Sequence, residues 1–171
     1  MVLIVAPQQT VPDFEHEYHT VIVDSTDQSS PTNAYTTFLP TPLENVVQVE
    51  LMAARFNTLT ASTQLIHISI EELRTFFSQR AKANLETADD NHLNGIFGTV
   101  VTGGAATHTF KSEYPIIQQY LTPIRKLDRL NLKLYKEDGT LLATGVKSYF
   151  VFRFVCKKRN LMWSFQGVVY M

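Results

Sequence analysis

Apolar and polar residues alternate with a period of two along much of this chain. Between Asn45 and Phe56, Val47, Val49, Leu51 and Ala53 stand against Gln48, Glu50 and Met52. Successive side chains of a strand point to opposite faces, so this spacing predicts a half-buried strand. Gln64 to Ile70 repeats the pattern with Ile66, Ile68 and Ile70 on one side. Leu130, Leu132 and Leu134 do the same against Asn131, Lys133 and Tyr135. Lys147 to Cys156 is the strongest segment. Phe150, Phe152 and Phe154 fill one face, while Tyr149, Val151 and Val155 make the other apolar too, broken only by Arg153. A strand that is apolar on both sides needs a second layer or a neighbouring subunit to cover it.

Weaker signals fill the gaps. His19 to Asp24 is a strand candidate with Val21 and Val23 on one side, and the polar run from Ser25 to Pro31 is a turn cluster. Tyr35 to Leu39 predicts a short strand ended by Pro40-Thr41-Pro42. Ser69-Ile70-Glu71-Glu72 matches a capping box, and Leu73, Phe76 and Phe77 follow at helical spacing, which predicts one short helix over 70–82. The polar run over 83–94 predicts a loop. Gly95 to Val101 and Thr107 to Phe110 predict two strands, and Pro115 and Pro123 bracket an irregular crossing. Glu137-Asp138-Gly139 is a hairpin turn signal, with a partner strand near Leu141. Leu161 to Tyr170 predicts a final strand.

This makes eight to ten short strands and one helix, with no βαβ alternation and no repeat. The economical solution is all-β: a single eight-stranded jelly-roll sandwich with one short helix and extended termini. Its expected core is Val47, Val49, Leu51, Ile66, Ile68, Leu130, Leu132, Phe150, Phe152 and Phe154. Composition agrees, since Val, Ile, Thr, Phe, Tyr and Trp exceed a third of the 171 residues. The expected organisation is an N-terminal arm over 1–17, a jelly-roll domain over 18–156, and a C-terminal strand or arm over 157–171.

Charge removes several classes of function. Fifteen Lys and Arg against sixteen Asp and Glu give a net charge of −1, so no global field draws the chain to nucleic acid or an anionic membrane. Lys157-Lys158-Arg159 in a turn reads as solvated. The opening Met1 to Ala6 is too short for a signal peptide, and no stretch approaches a membrane span. The lone Cys156 excludes an internal disulfide and reads as an inert buried thiol in a protein made in the cytosol.

The remaining chemistry is sparse. Asp24, Ser25 and Asp27 offer oxygens to Ca²⁺, but three fall short of a full shell, and turn closure onto backbone N–H groups explains them. His16, His19, His67, His92 and His108 form no His-x-His pair, so they read as core or solvated residues. Gly103-Gly104 lacks the Lys-Ser or Lys-Thr of a phosphate loop, and no Gly-x-Ser-x-Gly elbow occurs. No catalytic residue, metal ligand or cofactor site is expected. The residues expected at an interface are Trp163, Phe165, Tyr170, Val151 and Tyr149.

Several motifs stand in a telling order: Val23-Asp24-Ser25 with Asp27, Leu39-Pro40-Thr41-Pro42-Leu43, Val49-Glu50-Leu51, Leu127-Asp128-Arg129-Leu130, and Asp138-Gly139. Over roughly 18–156 the chain resembles the single jelly-roll capsid proteins of large icosahedral double-stranded DNA viruses, the group that includes algal and amoebal giant viruses. It departs at Gln28, where that family usually has Arg, and it lacks the usual Tyr-Pro before the second strand. The resemblance implies a virion structural protein synthesised in the host cytoplasm, not an enzyme. The penton protein, closing each icosahedral vertex as a homo-pentamer, is the first expectation. A minor capsid protein beneath or between major capsomers is the alternative, and a jelly-roll carbohydrate- or ligand-binding module for host attachment is a third reading. The implied partners are copies of itself, the viral major capsid protein and other minor capsid proteins, with no direct nucleic acid contact and no membrane-spanning segment.

Overall fold

The computed structural model describes residues 15–27, 33–57, 59, 63–74, 95–103, 106–143 and 145–158, with the side chains of 112–114 excepted. Six strands follow one another: β1 (His16–Asp24), β2 (Ala34–Asn57), β3 (Leu65–Ile70), β4 (Ile96–Val101), β5 (His108–Lys136) and β6 (Lys147–Lys157). They form one antiparallel hydrogen-bonded sheet in the order β1-β6-β2-β5-β3-β4. The fold is therefore all-β, as the alternation predicts.

Two strands do most of the joining. The later part of β2, 46–57, lies between β6 and the earlier part of β5, 108–124. The earlier part of β2, from Ala34 to Glu44, pairs only with β5 from Lys126 to Lys133. Beyond that, β5 passes to β3 through 132–136. Each long strand thus serves two different neighbourhoods.

The sheet folds back on itself. In a flat sheet β4 and β6, four places apart, would lie about 19 Å from one another. The rings of Phe97 on β4 and Phe152 on β6 instead meet edge to face, with centroids 5.8 Å apart. Gly98 and Ile116 are equally close: a Cβ on the glycine would lie 2.8 Å from the isoleucine Cγ2. Gln118 Nε2 donates to the Phe97 carbonyl at 2.9 Å. The two halves face each other as in a β-sandwich, around one apolar cluster that includes Val49, Leu51, Ile66, Ile68, Leu130, Leu132, Phe150, Phe152 and Phe154. The phenylalanines of β6 form its spine, with Phe56 packed edge-on against Phe150 at 5.6 Å.

Several expectations are corrected. The strand break expected at Pro40–Pro42 is absent, because β2 runs through it; β5 likewise runs through Pro115 and Pro123. Among the described residues the sheet therefore contains six strands rather than eight. All four prolines fall where the β2–β5 ladder slips. Residues 39–42 of β2 lie opposite Asp128 alone, and 120–123 and 112–115 of β5 lie opposite Val47 and Met52. A residue without an N–H is tolerated in a strand at such irregularities. The slip also moves the core by one residue. Val46 and Ala54 are fully buried while Val47 and Ala53, expected inside, are only half-buried, because an offset of one residue exchanges the faces of a strand. Asn45 takes a positive φ of 53° at this point.

The short helix expected over 70–82 is replaced, in its described part, by a single 3₁₀ turn at Glu71–Leu73 that no side chain caps. Glu72 turns away from its expected capping role. Its carboxylate accepts from the Asn131 backbone N–H at 2.8 Å and from Asn131 Nδ2 at 2.6 Å, tying the turn to β5. Residues 75–94, and the final strand expected at Leu161–Tyr170, lie outside the described residues. β1 starts at His16, inside the segment expected to be an arm. The Glu137-Asp138-Gly139 turn forms as predicted: Gly139 has φ 88°, Leu142 N–H donates to the Leu134 carbonyl, and Leu141 bridges Tyr135. The Asp138 carboxyl accepts from the Thr140 hydroxyl and backbone N–H, which lowers its pKa.

Candidate interaction surface

The outward face of β1, β6, β2 and β5 carries the feature that most needs an explanation. On β1 the set Val21 and Val23 turns inward, so Tyr18, Thr20 and Ile22 turn outward. Register aligns Tyr18 with Val155, Thr20 with Arg153, Ile22 with Val151 and Asp24 with Tyr149. On the other side of β6, Val155 meets Gln48, Arg153 meets Glu50, and Tyr149 meets Arg55. Ile117 of β5 lies across from Glu50. Tyr18 and Ile22 are each 58% exposed, Ile117 is 45% exposed, and Tyr149 is also solvent-accessible. The result is an apolar outer face with large side chains in solvent.

A polar line runs through the middle of that face. Arg153 Nε donates to Glu50 Oε2 at 2.7 Å, and a second guanidinium nitrogen contacts the same oxygen. Gln48 Nε2 donates to Glu50 Oε1 at 2.5 Å, and Gln119 Nε2 donates to Gln48 Oε1 at 2.9 Å. Glu50 is buried on the outer side of the sheet, with both carboxylate oxygens satisfied. A buried carboxylate is tolerated only when paired in this way. The network fixes side-chain positions across β5, β2 and β6 and gives the apolar face a rigid polar centre.

Of the five residues expected at an interface, Tyr149 and Val151 lie on this face, two apart on β6. Trp163, Phe165 and Tyr170 lie outside the described residues. The structure adds Tyr18, Ile22 and Ile117, which periodicity alone does not single out. The signal was available in β1: once Val21 and Val23 are inside, Tyr18 and Ile22 must be outside.

A cleft of about 410 Å³ opens at the Tyr149 end of the face, lined by Asp24, Arg55, Asn57, Lys147 and Tyr149 among others. The Asp24 carboxylate there is engaged in turn closure. Its Oδ1 accepts from the Thr26 backbone N–H at 2.9 Å and the Thr26 hydroxyl at 2.6 Å. Ser25 is buried against Ser148, whose backbone N–H donates to Ser25 Oγ at 2.8 Å, and the Tyr35 hydroxyl lies 3.0 Å from Ser148 Oγ. These groups hold β1, β2 and β6 together. His67 is a core histidine whose Nδ1 sits 2.8 Å from Thr99 Oγ1 across β3 and β4. Among the described residues no group of three or more His, Cys, Asp or Glu is arranged to hold a metal ion. No described helix is long and apolar enough to cross a membrane.

Burial, helped by the negative charge of Glu17, pushes the Cys156 thiol up to about 11. Burial also raises Tyr35, to about 12, against hydrogen bonds to Ser148 and Ser25 that favour its anion, and it raises Tyr120 as well. These shifts predict that folded Cys156 reacts with iodoacetamide at pH 8 about 100-fold more slowly than in the urea-unfolded chain, measured by mass spectrometry. They also fix the sign of alkaline stability. Above about pH 9 the unfolded chain releases protons that the native chain retains, so the melting temperature falls as pH rises from there. Labelling at the unfolded rate would contradict the burial of Cys156.

No protein-family model matches this sequence, and no curated protein matches it significantly.

Proposed function

We propose that the chain is a viral capsid structural protein of single jelly-roll type, which closes icosahedral vertices as a homo-pentamer. The observation that carries this reading is the sharing of two long strands between two neighbourhoods. Dividing β2 and β5 at their ladder slips yields eight segments. Four of them run β1, β6, late β2, early β5; the other four run early β2, late β5, β3, β4. That order supports a jelly-roll reading, in which a long double ribbon folds over so that its two ends lie in facing sheets.

The motifs behind the family resemblance support the same reading. Val23-Asp24-Ser25 ends β1, Leu39 to Leu43 spans the first slip, and Asp138-Gly139 makes the hairpin turn. Leu127 and Leu130 are buried, while Arg129 between them reaches Glu72 at 3.7 Å. The exposed apolar face fits a protein whose work is contact with other subunits, since contiguous apolar patches on protein surfaces mark interfaces. Head-to-tail contact between copies generates a closed ring when the rotation closes. In this reading the neighbours are further copies of the chain, the major capsid protein and minor capsid proteins of the virion.

Native mass spectrometry of the purified chain, followed by electron microscopy of virions or reassembled shells, tests the proposal. A five-membered ring at the vertices is expected. A three-fold capsomer, or single copies beneath the shell, would replace the penton role with that of a minor capsid protein. A monomer absent from the particle would overturn the capsid reading.

A further inference from the structure

Four side chains cross the sheet in one row at the cleft of about 410 Å³. Register pairs Asp24 of β1 with Tyr149 of β6, Tyr149 with Arg55 of β2, and Arg55 with Thr109 of β5. The residues beside them in the chain fix their direction. Val23, Ala54, Phe56, Ser148 and Phe150 are buried, so Asp24, Arg55 and Tyr149 turn outward. Asn57 and Lys147, paired with each other, form the next row of the cleft. Directly opposed residues of a sheet have Cβ atoms about 5 Å apart, so Asp24 and Arg55 flank Tyr149 at about 10 Å from one another.

Each member of the row offers a different contact. Arg74, Arg129 and Arg153 each meet a glutamate, whereas Arg55 donates from Nε to Asn57 Oδ1 at 3.2 Å and pairs with no described carboxylate. That bond anchors the guanidinium at the cleft wall and leaves its terminal nitrogens for an incoming acceptor. They form a fork that matches a carboxylate with two parallel hydrogen bonds. The Asn57 carbonyl is engaged by Arg55, so its amide N–H₂ group is a donor alongside, and Lys147 adds a second positive charge. The Tyr149 ring, 38% exposed, supplies a flat apolar plane in the middle. At the other end the Asp24 carboxylate gives Oδ1 to Thr26, and its second oxygen can accept from a hydroxyl. The same negative charge repels a polyanion.

We propose that this cleft binds a carboxylate-bearing sugar of the hexuronate class. Its carboxylate lies on Arg55 and Asn57, its ring on Tyr149, and its hydroxyl groups toward Asp24 and Thr109. A span of about 10 Å between the two charged ends suits one pyranose ring with its substituents. The cleft volume falls within the roughly 300–1,000 Å³ of small-ligand sites, which combine an apolar wall with a few convergent polar groups. A bare phosphate would engage Arg55 but neither Tyr149 nor Asp24. A neutral sugar would leave the guanidinium fork without its anionic acceptor, and a site built around such a group discriminates against ligands that lack the partner. The inference does not rest on the capsid reading, since every group in the cleft comes from a single chain.

Ligand-observed NMR on the purified full chain tests the proposal, with D-glucuronate, D-glucose and inorganic phosphate as probes. Glucuronate should bind with a Kd of about 1 mM, the scale expected for a ligand of its size, and glucose about tenfold more weakly. Arg55→Gln, at an exposed position, should keep the melting temperature and weaken glucuronate about tenfold, to the level of glucose. Tyr149→Ala should weaken both sugars, because it removes the plane on which either ring lies. Unchanged glucuronate binding in either variant would overturn the site, as would equal affinity for glucose and glucuronate in the parent chain. Displacement of glucuronate by an equal concentration of phosphate would reduce the cleft to a simple anion site and overturn the sugar. Absence of any glucuronate signal at about 20 mM, well above the expected Kd, would overturn the proposal outright.

Discussion

Phe152→Ala will destabilise the folded chain by about 3–5 kcal/mol, read as a shift in the urea midpoint at unchanged slope. The residue is fully buried and stacks between Phe150 and Phe154 along β6, so truncation removes a whole ring from the centre of the core. It also meets Phe97 across the fold, edge to face at 5.8 Å. Phe97→Ala will therefore cost a similar amount, and the two losses will not add. The double variant will be more stable than the sum predicts by about 1 kcal/mol, because the aromatic pair is already broken in each single variant. This coupling tests the folding-over of the sheet directly. β4 and β6 never hydrogen-bond to each other, so additive losses would mean that the two halves do not face one another.

The same residues show what was legible in the sequence. Phe150, Phe152 and Phe154 alternate without interruption, and each is buried as expected. Ile66 and Ile68, and Leu130 and Leu132, follow the same rule in β3 and late β5, whose register with one another is regular. The misplacement of Val47 and Ala53 has a tertiary origin. β2 must bend to pass from one neighbourhood to the other, and the ladder slips that bend it shift the inward phase by one residue. Nothing in a period-two pattern announces such a slip. The prolines at 40, 42, 115 and 123 did mark the places, but as bends within continuous strands rather than as strand ends. Ser69 to Glu72 misled for a different reason. A capping box is a local preference, and the Glu72 carboxylate finds two donors on Asn131 across the structure instead. Of the candidate surface, Tyr149 and Val151 were legible because β6 is apolar on both faces. Glu50 was not, because a strand-face glutamate reads as solvated until Gln48 and Arg153 are seen to enclose it.

If the proposed ring forms through the outer face, Ile22→Lys combined with Tyr149→Lys will abolish its assembly and leave the subunit folded. Both side chains are exposed on the outer face in the single chain, and neither belongs to the apolar cluster between the halves. Surface substitutions of this kind change stability by about 0.5 kcal/mol or less, so the melting temperature of the monomer should hold. Their effect at an interface is of another order. Burying an Ile or Tyr side chain against a neighbour contributes about 1.5–3 kcal/mol, and a lysine in its place adds the cost of desolvating a charge. Repeated at every contact of a ring, two such losses per interface suffice to separate the subunits at micromolar concentration. Arg153 sharpens the outcome, since the face already holds one cation there, and Glu50 is fully engaged with it and with Gln48. Sedimentation velocity should find a folded monomer under conditions in which the parent chain, on the proposed reading, sediments as a ring. The paired control is Phe38→Lys, at an exposed residue of β2 that pairs with Arg129 and lies away from this face; it should assemble normally. Intact rings in the Ile22 and Tyr149 variant would move the subunit contact elsewhere. Loss of assembly in the Phe38 variant alone would transfer it to the other half of the sandwich.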